Sequence, residues 1–587
     1  MESLKTSYPL CGTFGMICTS SAIATAVGMG VLERGGNAFD AAVSAALAMQ
    51  VVMPDQNGPA GEVAAVFYSR REEAARVLCG QGVAPASATA AQFESLDLTH
   101  IPRTGLLAAV TPGAFDAWLL LLREYGTLSL HDAFEPAIRY ARRGYPLLPR
   151  TVAYLAKAAK LFRQEWTTSA ASFLRNGDVP QAGELFENRP LAGTFQRVCE
   201  EAASASRDRD RQIDAARRIF ATGFVAEIMD RFARRPVMDS SGSRHSGLLT
   251  GDDIAAWRAT IEPPCIADYE DLTLAKPGPW SQGPVFLQQL QLLRGFELRS
   301  LDPCGADFVH LVAEAAKLAF ADKGEYYGDP AFAEVPMAEL LAEDYAMSRR
   351  RLIDLRQAST AIRPGRLGGQ NETLPPATAR RVAAIGTPRD TAHIDVADCH
   401  GNMISATPSG GWFDESPIIA ELGFPLSTRG QHFRLRPGHP NALAPRKRPL
   451  TTLSATIALR DGEPYMAFGT PGGDQQDQWS LIFLLRHLHG AMDIADANAA
   501  PMFHTRSFYS SYAPFKADPG RLIIEHSMPE ATVAELRRRG HDIRIGGPPA
   551  DHYAAQNFGT LSAIRRARGL LEATASGRWP YAYCAGR

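Results

Sequence analysis

In residues 1–150, apolar positions recur at helical spacing between stretches of small side chains, which predicts α/β structure. Residues 20–34 fit a helix that stops at Gly35. Asn37 is placed to cap a second, alanine-rich helix. Asp40 lies in the first turn of that helix, where the positive end of the helix dipole favours a carboxylate. The N-terminal part of the chain is therefore expected to belong to an α/β layer.

Two changes of pattern divide the rest of the chain. Residues 151–350 favour helices for most of their length. Residues 359–390 differ, because glycine, proline, arginine and polar side chains dominate there and no apolar period is sustained. Such a composition is typical of a flexible linker. We therefore expect a boundary at the end of this segment.

Directly after the predicted linker, the pattern becomes that of a β-hairpin. Polar and apolar residues alternate from residue 391 to residue 396, so Thr391, His393 and Asp395 are expected to share one face of a strand. A Gly-Asn turn follows, and residues 403–407 read as the returning strand. A threonine thus opens a strand immediately after a flexible segment.

Composition narrows the classes of function. The 587 residues are 45% hydrophobic and 21% charged with a net charge of −2, which is usual for a globular protein and gives no electrostatic reason to bind nucleic acid or a membrane surface. The N-terminus lacks the features of a secretory signal, and no apolar run approaches the ~20 residues of a membrane span. We expect a soluble cytoplasmic protein.

Several standard sites are missing from the sequence. The 8 cysteines include no CxxC pair, so structural zinc is not expected and the thiols are predicted to be reduced. Phosphate-loop, HExxH and GxSxG motifs are also absent. We predict neither a metal nor a cofactor.

The junction between Asp390 and Thr391 is the most informative chemical feature. A threonine hydroxyl in the middle of a chain is a poor nucleophile. A threonine at a new N-terminus differs, because its α-amine has a pKa of about 7.7–8 and can take the hydroxyl proton at neutral pH. From the residues alone, an exposed sheet face remains the commoner explanation of a Thr-x-His strand.

Four segments in order resemble motifs of the γ-glutamyltransferase family of N-terminal-nucleophile hydrolases, and together they span nearly the whole chain. The segment after the junction reads TAHIDVADCHGNMISATPSGG and looks like the family signature around the nucleophile. The others resemble the GGNAxDAA motif, the RPLSSMSPT segment and the GSPGG turn. The four segments are residues 33–42, 391–411, 447–456 and 469–473.

This resemblance implies an α+β fold, a four-layer αββα sandwich, and a precursor that cuts itself between Asp390 and Thr391. The products would be a large subunit, residues 1–390, and a small subunit, residues 391–587, packed as one body. Thr391 would then attack an amide of a small-molecule substrate and form an acyl-enzyme. No cofactor is implied.

The resemblance also implies roles for other residues. Gly472 and Gly473 would donate backbone N–H groups to the oxyanion. Ser409 stands where the family has a threonine whose hydroxyl supports the nucleophile. Thr451 and Thr452 replace a serine pair that lines the substrate pocket. His393 is expected to orient its strand rather than to act as a base.

The sequence departs from the family at the positions where true γ-glutamyl enzymes bind the α-carboxylate and α-ammonium groups of an amino-acid head group. Gln81 stands at the position of an arginine that binds the α-carboxylate, and a neutral amide cannot replace a bidentate guanidinium. His432 stands for an aspartate that binds the ammonium group, and Gly411 for an asparagine. This pattern resembles the acylase and amidohydrolase branch. Arg429 is interpreted either as a ligand for a substrate carboxylate or as a structural arginine at the pocket rim.

Three functions remain open from the sequence. The leading hypothesis is a self-processing threonine hydrolase that cleaves an amide of a small acyl-amino or acidic metabolite. The second is a true γ-glutamyltransferase or glutathione hydrolase with a rearranged head-group site. The third is a homologue in a biosynthetic pathway that only binds a metabolite or cleaves another kind of bond, such as C–C. The acyl group, the leaving group and the oligomeric state are not fixed.

Overall fold

The computed structural model describes residues 8–367, 391–546, 558–578 and 581–587. These residues form a mixture of helices and sheets, as the α+β prediction requires. The helices are α1 Ala22–Glu33, α2 Ala38–Val52, α3 Ala90–Glu94, α4 Ala114–Tyr125, α5 Leu130–Arg143, α6 Pro149–Gln164, α7 Thr167–Phe173, α8 Arg189–Ala205, α9 Arg209–Thr222, α10 Phe224–Ala233, α11 Gly251–Ala256, α12 Gly283–Leu293, α13 Ala306–Tyr326, α14 Met337–Leu340, α15 Glu343–Arg350, α16 Gln476–Leu488, α17 Ile494–Ala499 and α18 Glu530–Arg538.

The strands in the same residues are short, and most of them belong to two large sheets. They are β1 Leu10–Gly12, β2 Gly15–Thr19, β3 Glu62–Ser69, β4 Ala74–Cys79, β5 Tyr145–Pro146, β6 Leu185–Phe186, β7 Val237–Met238, β8 Arg244–His245, β9 Thr260–Glu262, β10 Cys265–Tyr269, β11 Leu272–Lys276, β12 Ile394–Asp398, β13 Met403–Ser409, β14 Ala455–Arg460, β15 Glu463–Gly469, β16 Phe503–Thr505, β17 Arg521–Glu525, β18 Asp542–Gly546, β19 Ser562–Ala567, β20 Leu570–Ala575 and β21 Tyr583–Gly586.

Each large sheet has seven strands among the described residues. Sheet I has the strand order β1-β20-β19-β15-β14-β11-β10, and sheet II has the order β21-β2-β12-β13-β3-β4-β9. Neighbouring strands in both sheets run antiparallel. Strands from the beginning, middle and end of the chain therefore hydrogen-bond to one another.

Three apolar clusters hold the two sheets and the helices together. One cluster contains side chains from both sheets, among them Met16 and Val66 of sheet II and Ile457 and Ile564 of sheet I. A second cluster joins the other face of sheet II to α1, α2 and α4. A third joins the other face of sheet I to α12, α13 and α16. Burial of apolar surface on both faces of each sheet is the main stabilising term for such packing.

Several local predictions are confirmed. Asn37 caps α2 in a capping box with Asp40, whose carboxylate accepts from the Asn37 backbone N–H at 3.0 Å. The predicted hairpin is β12 and β13, with Ile394 opposite Ala406. However, the first of these strands begins at Ile394, so Thr391 lies just before the strand rather than in it.

The predicted linker is described only in part. Residues 359–367 form neither helix nor strand. They are tied to α13, because the Ser359 carbonyl accepts from Lys317 Nζ at 2.7 Å and the Gly365 N–H donates to Asp322 Oδ1 at 2.7 Å. Residues 368–390, including Asp390, lie outside the described residues.

The expectation that all thiols are reduced is wrong for one pair. Cys18 of β2 and Cys584 of β21 form a disulfide with their Cα atoms 4.2 Å apart. The two residues are direct partners in the antiparallel register of these strands. The pair could not be predicted because the two cysteines are 566 residues apart in sequence and meet only in the folded protein, so no local motif indicates the disulfide.

Within the residues that the structure describes, no helix combines the length and the apolar character needed to cross a membrane.

Candidate active site

Thr391 lies just before β12, a central strand of sheet II, and next to the end of β13. Its neighbour Ala392 donates its backbone N–H to the Pro408 carbonyl at 3.0 Å, which extends the pairing of the hairpin beyond β12. Thr391 is buried, with 1% of its surface exposed. Ala392 and Ile394 point into the apolar cluster on the helix side, as the alternating pattern predicts. The side chain of Thr391 is thus presented from a fixed backbone.

The hydroxyl groups of Thr391 and Ser409 are in hydrogen-bonding contact. Thr391 Oγ1 lies 3.1 Å from Ser409 Oγ, and Arg429 Nη2 donates to the same Ser409 oxygen at 2.9 Å. The family resemblance predicted that the Ser409 hydroxyl lies beside Thr391, and the structure brings the two together. The resemblance had not placed Arg429 there.

Arg429 is fully buried and ion-paired with Glu62. Its Nε donates to Glu62 Oε1 at 2.6 Å, and its guanidinium lies over the Trp412 ring at 4.8 Å. Burial raises the pKa of the Glu62 carboxyl, although Arg429 opposes this shift. Burial by itself lowers the pKa of Arg429, but the charge and hydrogen bond of Glu62 together with the charges of Tyr512 and Glu415 outweigh burial, and the pKa is raised. These contacts favour a structural arginine over a ligand waiting for a substrate carboxylate.

His432 is a neutral partner of Arg429. Its Nδ1 lies 2.9 Å from the Leu450 carbonyl, so it carries the proton, and its Nε2 accepts from Arg429 Nη1 at 3.2 Å. Burial and the charge of Arg429 hold the pKa of His432 well below its ordinary range. A neutral imidazole that faces a guanidinium offers no anionic group to a substrate ammonium.

A second set of contacts, missed in the sequence, anchors the backbone at Thr391. With its amide oriented to satisfy both neighbours, Gln56 donates to the Thr391 carbonyl at 3.1 Å and accepts from Arg150 at 2.9 Å. The Gln56 backbone carbonyl accepts from the Trp412 indole at 3.0 Å. No local pattern around Gln56 or Arg150 signals this, because the residues meet only in the folded protein.

The glycine turn follows β15 and has an unusual backbone. Gly472 and Gly473 have φ values of +134° and +61°, which favour glycine. A Cβ atom at Gly472 would lie 2.3 Å from the Trp479 ring. Gly469, at the end of β15, lies against the His393 ring, so the turn leaves sheet I close to the segment of residues 391–393 that precedes β12.

A buried lysine holds the far side of the glycine turn. Lys323 Nζ contacts Asp474 Oδ1 at 2.9 Å and Gln282 Oε1 at 3.0 Å, and Gln282 donates to the Gly473 carbonyl at 3.3 Å. Burial raises the pKa of Asp474, but Lys323 and the hydrogen bonds from Ser511 together outweigh burial, and the pKa is lowered. The charged pair therefore fixes the residue that follows the two glycines.

The remaining predicted substrate residues are buried around this region. Gln81 is fully buried and donates to the Gly82 carbonyl at 3.2 Å. The Thr451 N–H donates to the Trp280 carbonyl at 3.0 Å, and Thr452 is also buried. Gly411 has φ +68°, a conformation in which the family's asparagine would be strained more than glycine. Their contacts with a substrate stay predictions.

His393 faces other polar groups rather than Thr391. Its Nε2 lies 3.0 Å from Asp395 Oδ1, and its Nδ1 lies 3.3 Å from Thr407 Oγ1. Asp395 in turn accepts from Ser562 at 2.6 Å. The network joins β12 to β13 and to sheet I, which agrees with the predicted role in orienting the strand.

One group of potential metal ligands occurs among the described residues, on α13 and before β18. It consists of His310, Glu314 and His541, all buried. Lys317 Nζ lies 2.6 Å from Glu314 Oε1, so the carboxylate already has a cationic partner. His310 Nδ1 also lies 2.9 Å from His541 Nε2, which is a direct hydrogen bond. The prediction of no metal stays a prediction.

Comparison with known proteins identifies the family. The gamma-glutamyltranspeptidase family model matches residues 24–583, and the chain therefore belongs to this family of enzymes. The predictions of the family and of an enzyme are both confirmed.

Relatives and solved structures match this chain over nearly all of its length. The glutathione hydrolase-like YwrD proenzyme of Bacillus subtilis (strain 168) is 29% identical, with 91% of this chain and 92% of that protein covered. The structure of LmbA2991HD is 46% identical with a TM-score of 0.93 and covers 100% of both chains. The cephalosporin acylase of Bacillus halodurans is 26% identical with a TM-score of 0.84 and covers 100% of this chain and 98% of the other.

Proposed function

We propose that the protein is a self-processing threonine hydrolase that cleaves an amide bond of a small acyl-amino or acidic metabolite through an acyl-enzyme on Thr391. The observation that carries the proposal is the 3.1 Å contact between Thr391 Oγ1 and Ser409 Oγ on a buried, anchored backbone. Family membership and the proenzyme relatives support the same chemistry.

The first reaction in this proposal is the cut between Asp390 and Thr391. Thr391 Oγ attacks the carbonyl carbon of Asp390, the C–N bond breaks, and the nitrogen takes a proton to become the amine of Thr391. Water then hydrolyses the resulting ester, which frees the hydroxyl and leaves a carboxylate on Asp390. The products contain 390 and 197 residues, which together account for the 587 of the chain.

The second reaction repeats this chemistry on a substrate. The freed amine takes the hydroxyl proton while Thr391 Oγ attacks the substrate carbonyl, and the proton passes to the leaving amine. Gly472 and Gly473 would donate their N–H groups to the oxyanion, and loss of one such donor costs about 3–4 kcal/mol. Water then releases the acyl group from Thr391.

Both products would remain in one body. The apolar cluster between sheets I and II and the clusters on their outer faces support a four-layer αββα sandwich. In this proposal residues 1–390 and 391–587 share that sandwich, because sheet I and sheet II each contain strands from both segments.

The substrate is expected to lack a γ-glutamyl head group. Gln81 is neutral, and His432 is neutral and bonded to Arg429, so neither supplies the charge that an α-carboxylate or an α-ammonium group requires. Arg429 itself is matched with Glu62. These observations favour the acylase-like chemistry over the second candidate, a true glutathione hydrolase or γ-glutamyltransferase.

Denaturing gel electrophoresis in the presence of reductant, with N-terminal sequencing, tests the proposal. Purified protein should give two fragments, the smaller beginning Thr-Ala-His-Ile-Asp, and Thr391→Ala should remain a single chain. An active protein that stays uncut would overturn the proposal. Rapid turnover of γ-glutamyl-p-nitroanilide by the processed enzyme would instead establish the second candidate.

A further inference from the structure

We propose that Arg429, held by Glu62, fixes the direction of the hydrogen bond between Ser409 and Thr391. In this arrangement Ser409 is the hydrogen-bond donor and the oxygen of the nucleophile, Thr391 Oγ1, is the acceptor. This inference rests on the proposed function. It assigns Arg429 as a positioning residue that acts through Ser409 and not as a ligand for the substrate.

The direction follows from the chemistry of the guanidinium group. Arginine can only donate hydrogen bonds, and a serine hydroxyl has one proton and two lone pairs. Arg429 Nη2 lies 2.9 Å from Ser409 Oγ and therefore occupies one lone pair. One lone pair and the proton remain. Among the described contacts of this hydroxyl the other partner is Thr391 Oγ1 at 3.1 Å, so the Ser409 proton has an acceptor only when it is donated to Thr391.

The orientation of Arg429 is itself fixed on several sides. Glu62 Oε1 lies 2.6 Å from its Nε and 2.5 Å from its Nη2, and Ser427 donates to Glu62 Oε2 at 2.8 Å. His432 accepts from Nη1. The donor that points at Ser409 therefore cannot rotate away without breaking a buried ion pair.

A hydrogen bond donated to Thr391 is useful because the nucleophile becomes electron-rich as it loses its proton. Ser409, polarised by a cation, would stabilise that charge more than it stabilises the neutral hydroxyl. A 10- to 100-fold change in rate corresponds to about 1.4–2.7 kcal/mol, which is the size expected for a hydrogen bond to a charged group. Ser409 without Arg429 could instead accept from Thr391 and lose this effect.

The rate of self-cleavage tests the proposal, and this measurement needs no knowledge of the substrate. Arg429→Gln alone would leave Glu62 buried and unpaired, which is strongly destabilising. The variant E62Q/R429Q removes both charges and keeps a polar side chain at each position. We expect E62Q/R429Q to process about 10- to 100-fold more slowly per folded molecule, the same loss that we expect for Ser409→Ala. Adding Ser409→Ala to E62Q/R429Q should cause little further loss.

A matched control is the pair Glu525 and Arg578, which is also buried and joined by contacts of 2.8 and 2.7 Å but lies outside the site. E525Q/R578Q should process at the wild-type rate per folded molecule. The role of Arg429 would be overturned if Ser409→Ala slowed processing by the same factor in E62Q/R429Q as in the wild type. Normal processing by E62Q/R429Q would overturn it as well. Absence of processing in the wild type would overturn the proposed function instead.

A separate observation carries a second inference: the disulfide between Cys18 and Cys584 joins the two products after the cut. Cys18 precedes the junction at 390–391 and Cys584 follows it, and the two lie opposite each other on β2 and β21. The bond forms when two thiols give up two protons and two electrons to an oxidant such as a disulfide-exchange partner. This inference also rests on the proposed cleavage.

Electrophoresis with and without reductant separates the possible outcomes. The inference expects one band of full mass without reductant and two bands with it. Cys584→Ser should give two bands in both lanes, whereas Cys399→Ser, at an exposed free cysteine, should behave as wild type. Two bands in both lanes for the wild type would exclude the disulfide link. One band in both lanes would exclude the cleavage.

Discussion

Thr391 and Ser409 are joined through their hydroxyl groups at a distance of 3.1 Å, although 18 residues separate them in the chain. The hairpin of β12 and β13 brings them together, because each lies next to the open end of the paired strands. Any change that alters the Ser409 oxygen should therefore be felt directly at Thr391.

Ser409→Ala should slow self-cleavage about 10- to 100-fold, because Thr391 loses a hydrogen-bond partner in a buried environment. Ser409→Thr keeps the hydroxyl and should retain most of the rate. Quantified time courses of the two fragments on denaturing gels provide the measurement. Equal rates for the alanine and threonine variants would show that the hydroxyl contact has no part in the reaction.

Gly472→Ala should reduce hydrolysis about 10²- to 10³-fold if the turn supplies an oxyanion donor. The added Cβ would lie 2.3 Å from the Trp479 ring, and φ of +134° is unfavourable for alanine, so the turn must shift. Gly569→Ala is the control, since Gly569 also has a positive φ, +77°, but no atom lies within 4 Å of its added Cβ. Single-turnover acylation with a substrate found by screening amides would compare the two variants. Equal losses in both would assign the effect to backbone strain alone.

His393→Asn should lower stability rather than the chemical rate. The substitution disturbs contacts of His393 with Asp395 and Thr407 in the space between the sheets, and a buried group left without a partner costs about 1–3 kcal/mol. Thermal unfolding and the cleavage rate per folded molecule are the two measurements. A large fall in rate with an unchanged melting temperature would point to a direct catalytic role for His393.

Acid should destabilise the protein in part through His439. Its Nε2 donates to the Gly324 carbonyl at 3.0 Å, and its Nδ1 accepts from the Asn441 N–H at 2.9 Å, so the folded protein holds the neutral ring. Burial lowers the pKa of His439 to about 4, from 6.5. The unfolded chain therefore binds a proton first, and the stability contributed above pH 6.5 is lost as the pH falls towards about 4.

Protonation of His439 lowers the free energy of unfolding by at most about 1.4 kcal/mol per pH unit. His439→Gln should flatten the dependence of unfolding free energy on pH in that window, and His131→Gln, at an exposed histidine, should not. Urea unfolding of the Thr391→Ala precursor at several pH values measures both. Identical curves for the three proteins would exclude His439 as the source.

Local patterns predicted those parts of the fold and of the site that are local. The Asn37 cap and the β12–β13 hairpin follow from spacing within a few residues, and the placement of Ser409 followed from the family motif. The pair Glu62 and Arg429 could not be predicted, because 367 residues separate them and neither lies in a distinctive motif. Arg429 looked like a free cation in the sequence for the same reason: its counter-charge arrives only when β3 packs beside β13.

Strand β2 has a consequence for how a mature enzyme could arise. It lies between β12 and β21, so an N-terminal strand is hydrogen-bonded on both sides by strands from beyond residue 390. Two separately made polypeptides would have to insert this strand into a gap between β12 and β21 while sheet II was still incomplete. Assembly therefore favours a single uncut polypeptide that first completes the hydrogen bonds between its strands. The proposed cut between Asp390 and Thr391 is then expected to be the last event of maturation, not a step that precedes the docking of two finished halves.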